Sequence, residues 1–357
     1  MPTDVTAEQL EAAPEQHLTA VTLAKQIRHR RIGRMGFGIT LTFLIAMAFD
    51  WTLAYLAPCF VTPLLQARAA PSLSTAVRIL LAAFVLMLMC YLGAGFAAQF
   101  PVVFLLALIP GLFWTFRFSL RGGSLLIVLL LLIGFMLLPM VAKYSTQIAW
   151  DMAASFVGNI ALSLVITFIM FAIFPALPSE PAPAPKPRLV ASEIDRQAWI
   201  MTAVTGSFTW AYFSFDWTNV HTPIYIAIYI HQLSLASSVK VTKGILGANV
   251  VAGFVAVVLY TLLVMAPSFA FLAALSLTVM LVFARLITSG AAWAPLAGFA
   301  LSSTLILLGS AMSSLGDSGG DKFTDRLGEL GAAALYAVAA MYVLQTYFPG
   351  KLLVSEN

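Results

Sequence analysis

The sequence has few charged residues: only 10% of its 357 positions are Asp, Glu, Lys or Arg, against roughly 25% in soluble domains. Hydrophobic residues make up 61% of the chain, and the mean hydropathy is +0.95. Such a composition cannot cover a globular surface with polar side chains, which excludes a soluble enzyme, a nucleic-acid-binding protein and a disordered scaffold. Because about 20 apolar residues make one spanning helix, we expect an all-α, polytopic membrane protein.

Residues and motifs that carry chemistry are also scarce. The two cysteines, Cys59 and Cys90, fall in apolar segments and give neither a disulfide framework nor a CxxC metal pattern. His221 and His231 have no carboxylate or cysteine cluster around them, so no metal site is expected. The sequence has no phosphate-binding P-loop, and no HExxH motif, GxSxG motif or Ser/His/Asp set appears in a credible context. We therefore expect no enzyme and no cofactor, with energy drawn from an ion gradient or another subunit.

Apolar runs separated by helix breakers predict twelve membrane spans in two groups of six. A proline-rich segment at 179–188 separates the groups and is typical of an extended spacer. The predicted spans are 33–49, 52–66, 77–99, 101–117, 123–142, 150–174, 199–215, 218–235, 244–265, 268–287, 289–314 and 328–348. The resulting organisation is an N-terminal tail (1–34), a first membrane repeat (35–176), a cytoplasmic linker (177–197), a second membrane repeat (198–350) and a C-terminal tail (351–357).

The distribution of basic residues predicts the orientation. With both termini in the cytoplasm, all 19 Lys and Arg residues except Lys143, Lys322 and Arg326 fall on the inner side, as the positive-inside rule requires. Residues 1–24 are polar and unlike a cleaved signal peptide. We therefore expect an uncleaved first span preceded by a cytoplasmic basic cluster, which consists of Lys25, Arg28, Arg30, Arg31 and Arg34.

A short internal repeat relates the two groups of spans. The tetrapeptide Phe-Asp-Trp-Thr at 49–52 recurs at 215–218, and the same shift of 166 residues carries Gln66 onto Gln232. Because each group contains an even number of spans, both groups begin on the same side of the membrane. They are then parallel repeats related by an axis along the membrane normal, which is an architecture of transporters.

Short, proline-containing spans at matching positions in two repeats point to a transporter's binding site. The second and eighth predicted spans fit this description, and we predict a substrate path along them, although His231 could instead serve only to hydrogen-bond a neighbouring helix. The path residues on these spans are Pro58, Pro63, Pro223, Tyr225, Tyr229 and His231.

Four further polar residues occupy nearly matching positions near the cytoplasmic side. Arg78 and Lys243 could attract an anionic solute to the inner mouth of the path, or could only anchor their helices at the interface. Gln66 and Gln232 could hydrogen-bond a carboxylate or hydroxyl group of the substrate, or could only join neighbouring helices.

Two aspartates, Asp50 and Asp216, lie at the outer ends of the first and seventh predicted spans. A carboxylate at membrane depth is a candidate proton carrier, so we predict that these two residues couple transport to protons. The alternative is that each aspartate caps the next helix, while the tryptophan that follows it anchors in the interface.

The first hairpin with its Asp-Trp-Thr turn, followed by Gln66 and Arg78 and again by Gln232 and Lys243 before a long apolar helix, resembles the fusaric acid resistance and aromatic acid exporter group. Larger members carry a cytoplasmic domain between their membrane halves, so this chain is similar to the compact branch without that domain. The resemblance implies a bacterial inner-membrane location and proton-driven export of aromatic or other weak organic acids. It also implies a periplasmic adaptor of the membrane-fusion type as a partner.

Together these observations predict an inner-membrane, proton-coupled exporter of small amphipathic organic acids or drugs, with the lipid bilayer, the substrate and an adaptor as its partners. Two alternatives stay open: a permease subunit of a larger machine, and a membrane assembly factor that transports nothing. The sequence is compatible with a monomer or a homo-oligomer.

Overall fold

A computed structural model of the protein describes residues 7–177, 190–215 and 239–312, together with the single positions 222, 226, 229, 230, 328, 331, 332, 335, 336, 339 and 342. This part of the chain forms helices and contains no strand. Eight of its helices are long and apolar enough to cross a membrane. The predicted all-α membrane class is confirmed, while the predicted spans 218–235 and 328–348 lie largely outside the described residues.

We number the α-helices in chain order, and a short 3-10 helix at Ala54–Leu56 precedes the second of them. The bounds are α1 Ala7–Phe49, α2 Ala57–Gln66, α3 Leu73–Gln99, α4 Pro101–Leu120, α5 Leu125–Tyr144, α6 Thr146–Ile173, α7 Ala191–Ser214, α8 Val239–Met265, α9 Phe269–Ile287 and α10 Ala294–Met312.

Helix starts follow local sequence signals. Ser72, Ser145 and Ser268 are N-caps, and each hydroxyl accepts a hydrogen bond of 3.2 Å from the backbone N–H three residues later. This bond satisfies one of the backbone donors that a helix start leaves unpaired. Pro101 opens α4, at a position where its missing N–H costs nothing.

Helix contacts repeat along the chain. Helix α3 packs on α5 as α8 packs on α10, and α1 packs on α9 as α4 packs on α7. The most enclosed apolar windows belong to α5 and α10, at 72% and 61% buried. Helices α3 and α8 instead present large apolar side chains to the outside, where lipid is their natural surrounding; examples are Leu81, Phe84, Met89, Val250, Phe254 and Met265.

The contact between α1 and α9 is close because α1 has a glycine there. A Cβ added at Gly36 would lie 2.4 Å from Cδ2 and 3.4 Å from Cα of Leu281. Small residues let membrane helices approach until their backbones nearly touch, which increases van der Waals contact in the absence of a hydrophobic driving force.

Candidate functional site

Helix α2 is too short to cross a bilayer, and protein surrounds it. The 3-10 helix of three residues and the ten residues of α2 cover roughly 20 Å at about 1.5 Å per residue, against about 30 Å for a hydrocarbon core. The pair packs against α1, α6 and α10. Leu53 and Tyr55, at its N-terminal end, are fully buried. The last residue of the turn and the 3-10 helix are therefore enclosed by protein, whereas Asp50 at the start of the turn is exposed.

The turn that joins α1 to α2 has an unusual backbone. Asp50 and Leu53 have positive φ angles of 39° and 58°, a region that residues other than glycine adopt rarely. Asn159 of α6 stabilises the turn through both polar atoms of its side-chain amide. Its Oδ1 accepts a hydrogen bond from Trp51 Nε1 at 2.8 Å, and its Nδ2 donates to the carbonyl of Leu53 at 3.0 Å.

Asn159 belongs to a polar stripe on α6 that faces α2. Asn159, Ser163 and Thr167 are four residues apart and fully buried. The Ser163 hydroxyl lies 3.0 Å from the carbonyl of Ala57, to which it can donate. Sequence reasoning missed this stripe, although its signal was visible: polar residues at helical spacing in an apolar span mark one face turned toward protein.

A buried arginine lies at the C-terminal end of α2. Arg34 is fully buried; its Nε donates to the carbonyl of Leu65 at 3.1 Å, and its Nη2 donates to that of Ala67 at 3.3 Å. Its guanidinium lies 4.0 Å from the ring centroid of Phe171. The C-terminus of a helix favours a cation, and the ring face adds a cation–π contact. The sequence analysis had placed Arg34 only in the cytoplasmic basic cluster.

Three predicted path residues share α2. Pro58 is buried in the first turn and Pro63 is half-buried inside the helix. Pro63 has no N–H, so the carbonyl of Cys59 lacks its usual helical donor. Gln66 ends the helix half-buried, and its carbonyl accepts a hydrogen bond from Arg31 Nη2 at 3.5 Å.

The other predicted residues lie elsewhere or outside the described chain. Arg78 on α3 and Lys243 on α8 are exposed. Tyr229 is buried, in the same apolar cluster as Tyr55 and Phe60. Outside the described residues lie Asp216, Pro223, Tyr225, His231 and Gln232.

Asp50 follows the C-terminal end of α1 and is exposed. The alternative in which it caps the next helix is wrong. The N-cap of the 3-10 helix is Leu53, that of α2 is Leu56, and neither start has a side-chain capping bond. The tryptophan that follows Asp50 also does more than anchor in the interface, because its indole bonds to Asn159. The proton-coupling role of Asp50 stays a prediction.

One ion pair joins the C-terminal end of α4 to the N-terminal end of α7. Arg117 Nε lies 2.6 Å from Asp195 Oδ1, and Arg117 Nη2 donates to Asp195 Oδ2 at 3.3 Å. Within α7, Arg196 Nε and Gln197 Nε2 each donate to Glu193 at 2.9 Å. The hydrogen bonds from Arg196, opposed in part by burial and assisted by Gln197, hold the pKa of the Glu193 carboxyl below its usual range.

Comparison with known proteins adds one relationship. Residues 31–170 match a family model described as "Protein of unknown function (DUF2955)". The matched segment begins within α1 and ends in the last turn of α6. It includes α2 and the turn that joins α1 to α2. No curated protein and no solved structure matches. Within the described residues, no group of three or more His, Cys, Asp or Glu side chains could hold a metal ion.

We expect Asn159→Leu to lower the free energy of unfolding by about 2 kcal/mol, because the part-buried Trp51 indole N–H loses its acceptor and the Leu53 carbonyl keeps only its hydrogen bond from the Leu56 N–H. Unfolding by SDS in mixed micelles, followed through tryptophan fluorescence, measures this loss. The control is Thr278→Val, which removes an exposed hydroxyl that bonds only within its own helix. Equal stability of the two variants would show that Asn159 does not stabilise the turn.

Proposed function

We propose that the protein is a secondary transporter of the bacterial inner membrane that exports aromatic or other small amphipathic organic acids or drugs, coupled to protons and assisted by a periplasmic adaptor. The observation that carries the proposal is the repetition of helix contacts: α1 on α9 as α4 on α7, and α3 on α5 as α8 on α10. This pattern supports two parallel repeats of six spans, and the distribution of Lys and Arg supports an orientation with both termini in the cytoplasm.

The reciprocal contacts also indicate where the repeats meet. Helix α1 of the first proposed repeat packs on α9 of the second, and α4 of the first packs on α7 of the second. Halves joined by two equivalent interfaces around an axis along the membrane normal can rock against each other. In such transporters the substrate site lies at the boundary between the halves.

Helix α2 lies at the same boundary. The Cys59 thiol is 3.9 Å from the carbonyl of Ser302 on α10, so the helix predicted to line the substrate path contacts the second proposed repeat. In the proposed cycle, an organic anion approaches Arg78, Lys243 and the two glutamines from the cytoplasm. It then moves between the second and eighth spans, and protonation of Asp50 or Asp216 favours the outward-facing state.

The function is tested by expressing the chain in an efflux-deficient Gram-negative host, with and without its cognate adaptor, and measuring growth against a panel of aromatic acids and amphipathic drugs. We expect selective protection, and we expect efflux to stop when the proton gradient is collapsed. A lack of protection despite confirmed membrane expression with the adaptor would contradict export and favour the permease-subunit or assembly-factor alternative.

Proton coupling makes its own prediction. Asp50→Asn and Asp216→Asn, singly and together, should reduce export and remove its dependence on external pH, because an amide cannot carry the proton. The matched control is Asp151→Asn, on an exposed α6 carboxylate that accepts a hydrogen bond from Gln147 at 3.0 Å. Unchanged export with an unchanged pH profile in the double variant would refute coupling through these aspartates, while leaving export itself intact.

A further inference from the structure

The two corresponding helix junctions carry different charges at their inner ends. Where α4 meets α7, Arg117 is paired with Asp195. Where α1 meets α9, Lys25, Arg28 and Arg30 of α1 lie near the inner end, and Arg285 lies in the last turn of α9. Among the side chains that the structure describes, which exclude those of residues 1–21, no carboxylate forms an ion pair with these four cations. Within that set of side chains, the first junction has a cation paired with an aspartate, whereas the cations of the second junction have no paired carboxylate.

Two of these cations, Lys25 and Arg30, line a groove on α1. It has a volume of about 410 Å³ and is lined by Thr22, Lys25, Gln26, His29 and Arg30. These positions recur every three or four residues, so they share one side of the helix. Hydroxyl, ammonium, amide and guanidinium groups all present hydrogen-bond donors, and such a set suits the oxygens of a phosphate group.

The groove lies at the depth of lipid headgroups. Arg30 Nη1 donates to the carbonyl of Pro175 at 3.4 Å, and Pro175 follows the end of α6 at Ile173. Arg30 therefore marks the level at which α6 ends. At about 1.5 Å per residue, Lys25 lies roughly 7 Å beyond that level, and the headgroup layer is about 5–8 Å thick on each side of a bilayer.

Apolar side chains continue the same side of α1 toward the membrane centre. Phe37 and Leu41 follow Arg30 at helical spacings of seven and eleven residues, which keeps all three on one stripe. Both are exposed, at 44% and 36%. A molecule with a phosphate head in the groove and a hydrocarbon tail along Phe37 and Leu41 would match this stripe, whereas a free phosphate would use only its polar end.

We propose that this groove binds the headgroup of an anionic phospholipid from the inner leaflet, with its acyl chain along Phe37 and Leu41. The phosphodiester supplies the negative charge that Asp195 supplies at the other junction. Juxtamembrane basic clusters attract anionic lipids, and the groove with its apolar continuation makes this attraction local. The site is independent of the proposed export, since it lies on α1 outside the predicted substrate path.

The test is the binding of headgroup-labelled phosphatidylglycerol to the purified full chain in detergent micelles. Lys25→Gln/Arg30→Gln should weaken binding by about five-fold for each cation removed, about 25-fold in all. Lys25→Gln alone should weaken binding by about five-fold, and it leaves the contact of Arg30 with Pro175 in place. The control, Arg68→Gln/Arg121→Gln, removes the same charge from two exposed residues that lie on neither side of this junction and do not line the groove, and it should bind like the wild type.

Three results would overturn the proposal. The first is unchanged binding in Lys25→Gln/Arg30→Gln. The second is an equal loss in the control, which would show a diffuse surface charge instead of a site. The third is displacement of the label by phosphatidylcholine or by glycerol 3-phosphate as effectively as by unlabelled phosphatidylglycerol, which would show a site that does not require both the anionic head and the tail.

Discussion

Gly309→Ala should lower the free energy of unfolding by about 3 kcal/mol, at the upper end of what overpacking costs. A Cβ at this position of α10 would lie 2.2 Å from Cβ and 3.4 Å from Cα of Tyr55. Tyr55 is fully buried in the 3-10 helix before α2, and its Cβ is fixed to the backbone. A side-chain rotation of Tyr55 therefore cannot relieve the clash with the added methyl group, and α10 must move away from the start of α2.

The matched control is Gly158→Ala on α6, where an added Cβ meets no heavy atom within 4 Å. This change should be neutral or should stabilise the protein by up to about 1 kcal/mol, since alanine is the better helix former. SDS unfolding in mixed micelles compares both variants with the wild type. If Gly309→Ala is as stable as Gly158→Ala, α10 and the 3-10 helix do not approach as closely as the structure places them.

Helix positions were predictable because hydropathy and helix breakers mark them. The predicted span 101–117 corresponds to Pro101–Leu120, and 123–142 corresponds to Leu125–Tyr144. The largest difference is at α1, whose helix begins at Ala7, well before the predicted membrane span at 33–49. Hydropathy detects where a helix becomes apolar, whereas Lys, Arg, Gln and Ala continue a helix beyond the membrane because they are good helix formers.

The candidate site was less predictable, because its details depend on contacts between helices. The prolines of α2 correctly marked a short, interrupted segment, but the left-handed backbone of Leu53 left no trace in the sequence. A positive φ is expected of glycine or asparagine, and here Asn159, more than 100 residues later, holds the turn. Backbone strain of this kind persists only where the surrounding structure fixes it.

Arg34 shows what composition rules leave out. An arginine that precedes an apolar run is expected at the cytoplasmic interface, but the run gives no sign that the side chain of Arg34 is fully buried against α2 and α6. Its burial depends on the free carbonyls at the end of α2 and on the ring of Phe171. Those groups come from distant parts of the chain, and a hydropathy pattern does not predict contacts between them.

Arg34→Met should lower the free energy of unfolding by about 3 kcal/mol, because the carbonyls of Leu65 and Ala67 lose charge-assisted hydrogen bonds and Phe171 loses its cation. An opposing effect is that methionine fills a similar volume without the cost of burying a charge. We expect the lost contacts to exceed this gain, since three separate groups depend on the one guanidinium.

Arg34→Lys distinguishes charge from geometry. A lysine keeps the charge but has no planar fork with which to reach both carbonyls, so we expect a stability between those of the wild type and Arg34→Met. Arg121→Met, at an exposed arginine, is the control for loss of a positive charge and should have little effect. SDS unfolding in mixed micelles measures the relative stabilities of the wild type and the three variants. If Arg34→Met were as stable as the wild type, the cost of burying the guanidinium would equal the stabilisation from its contacts, and Arg34 would not hold the C-terminal end of α2 in place.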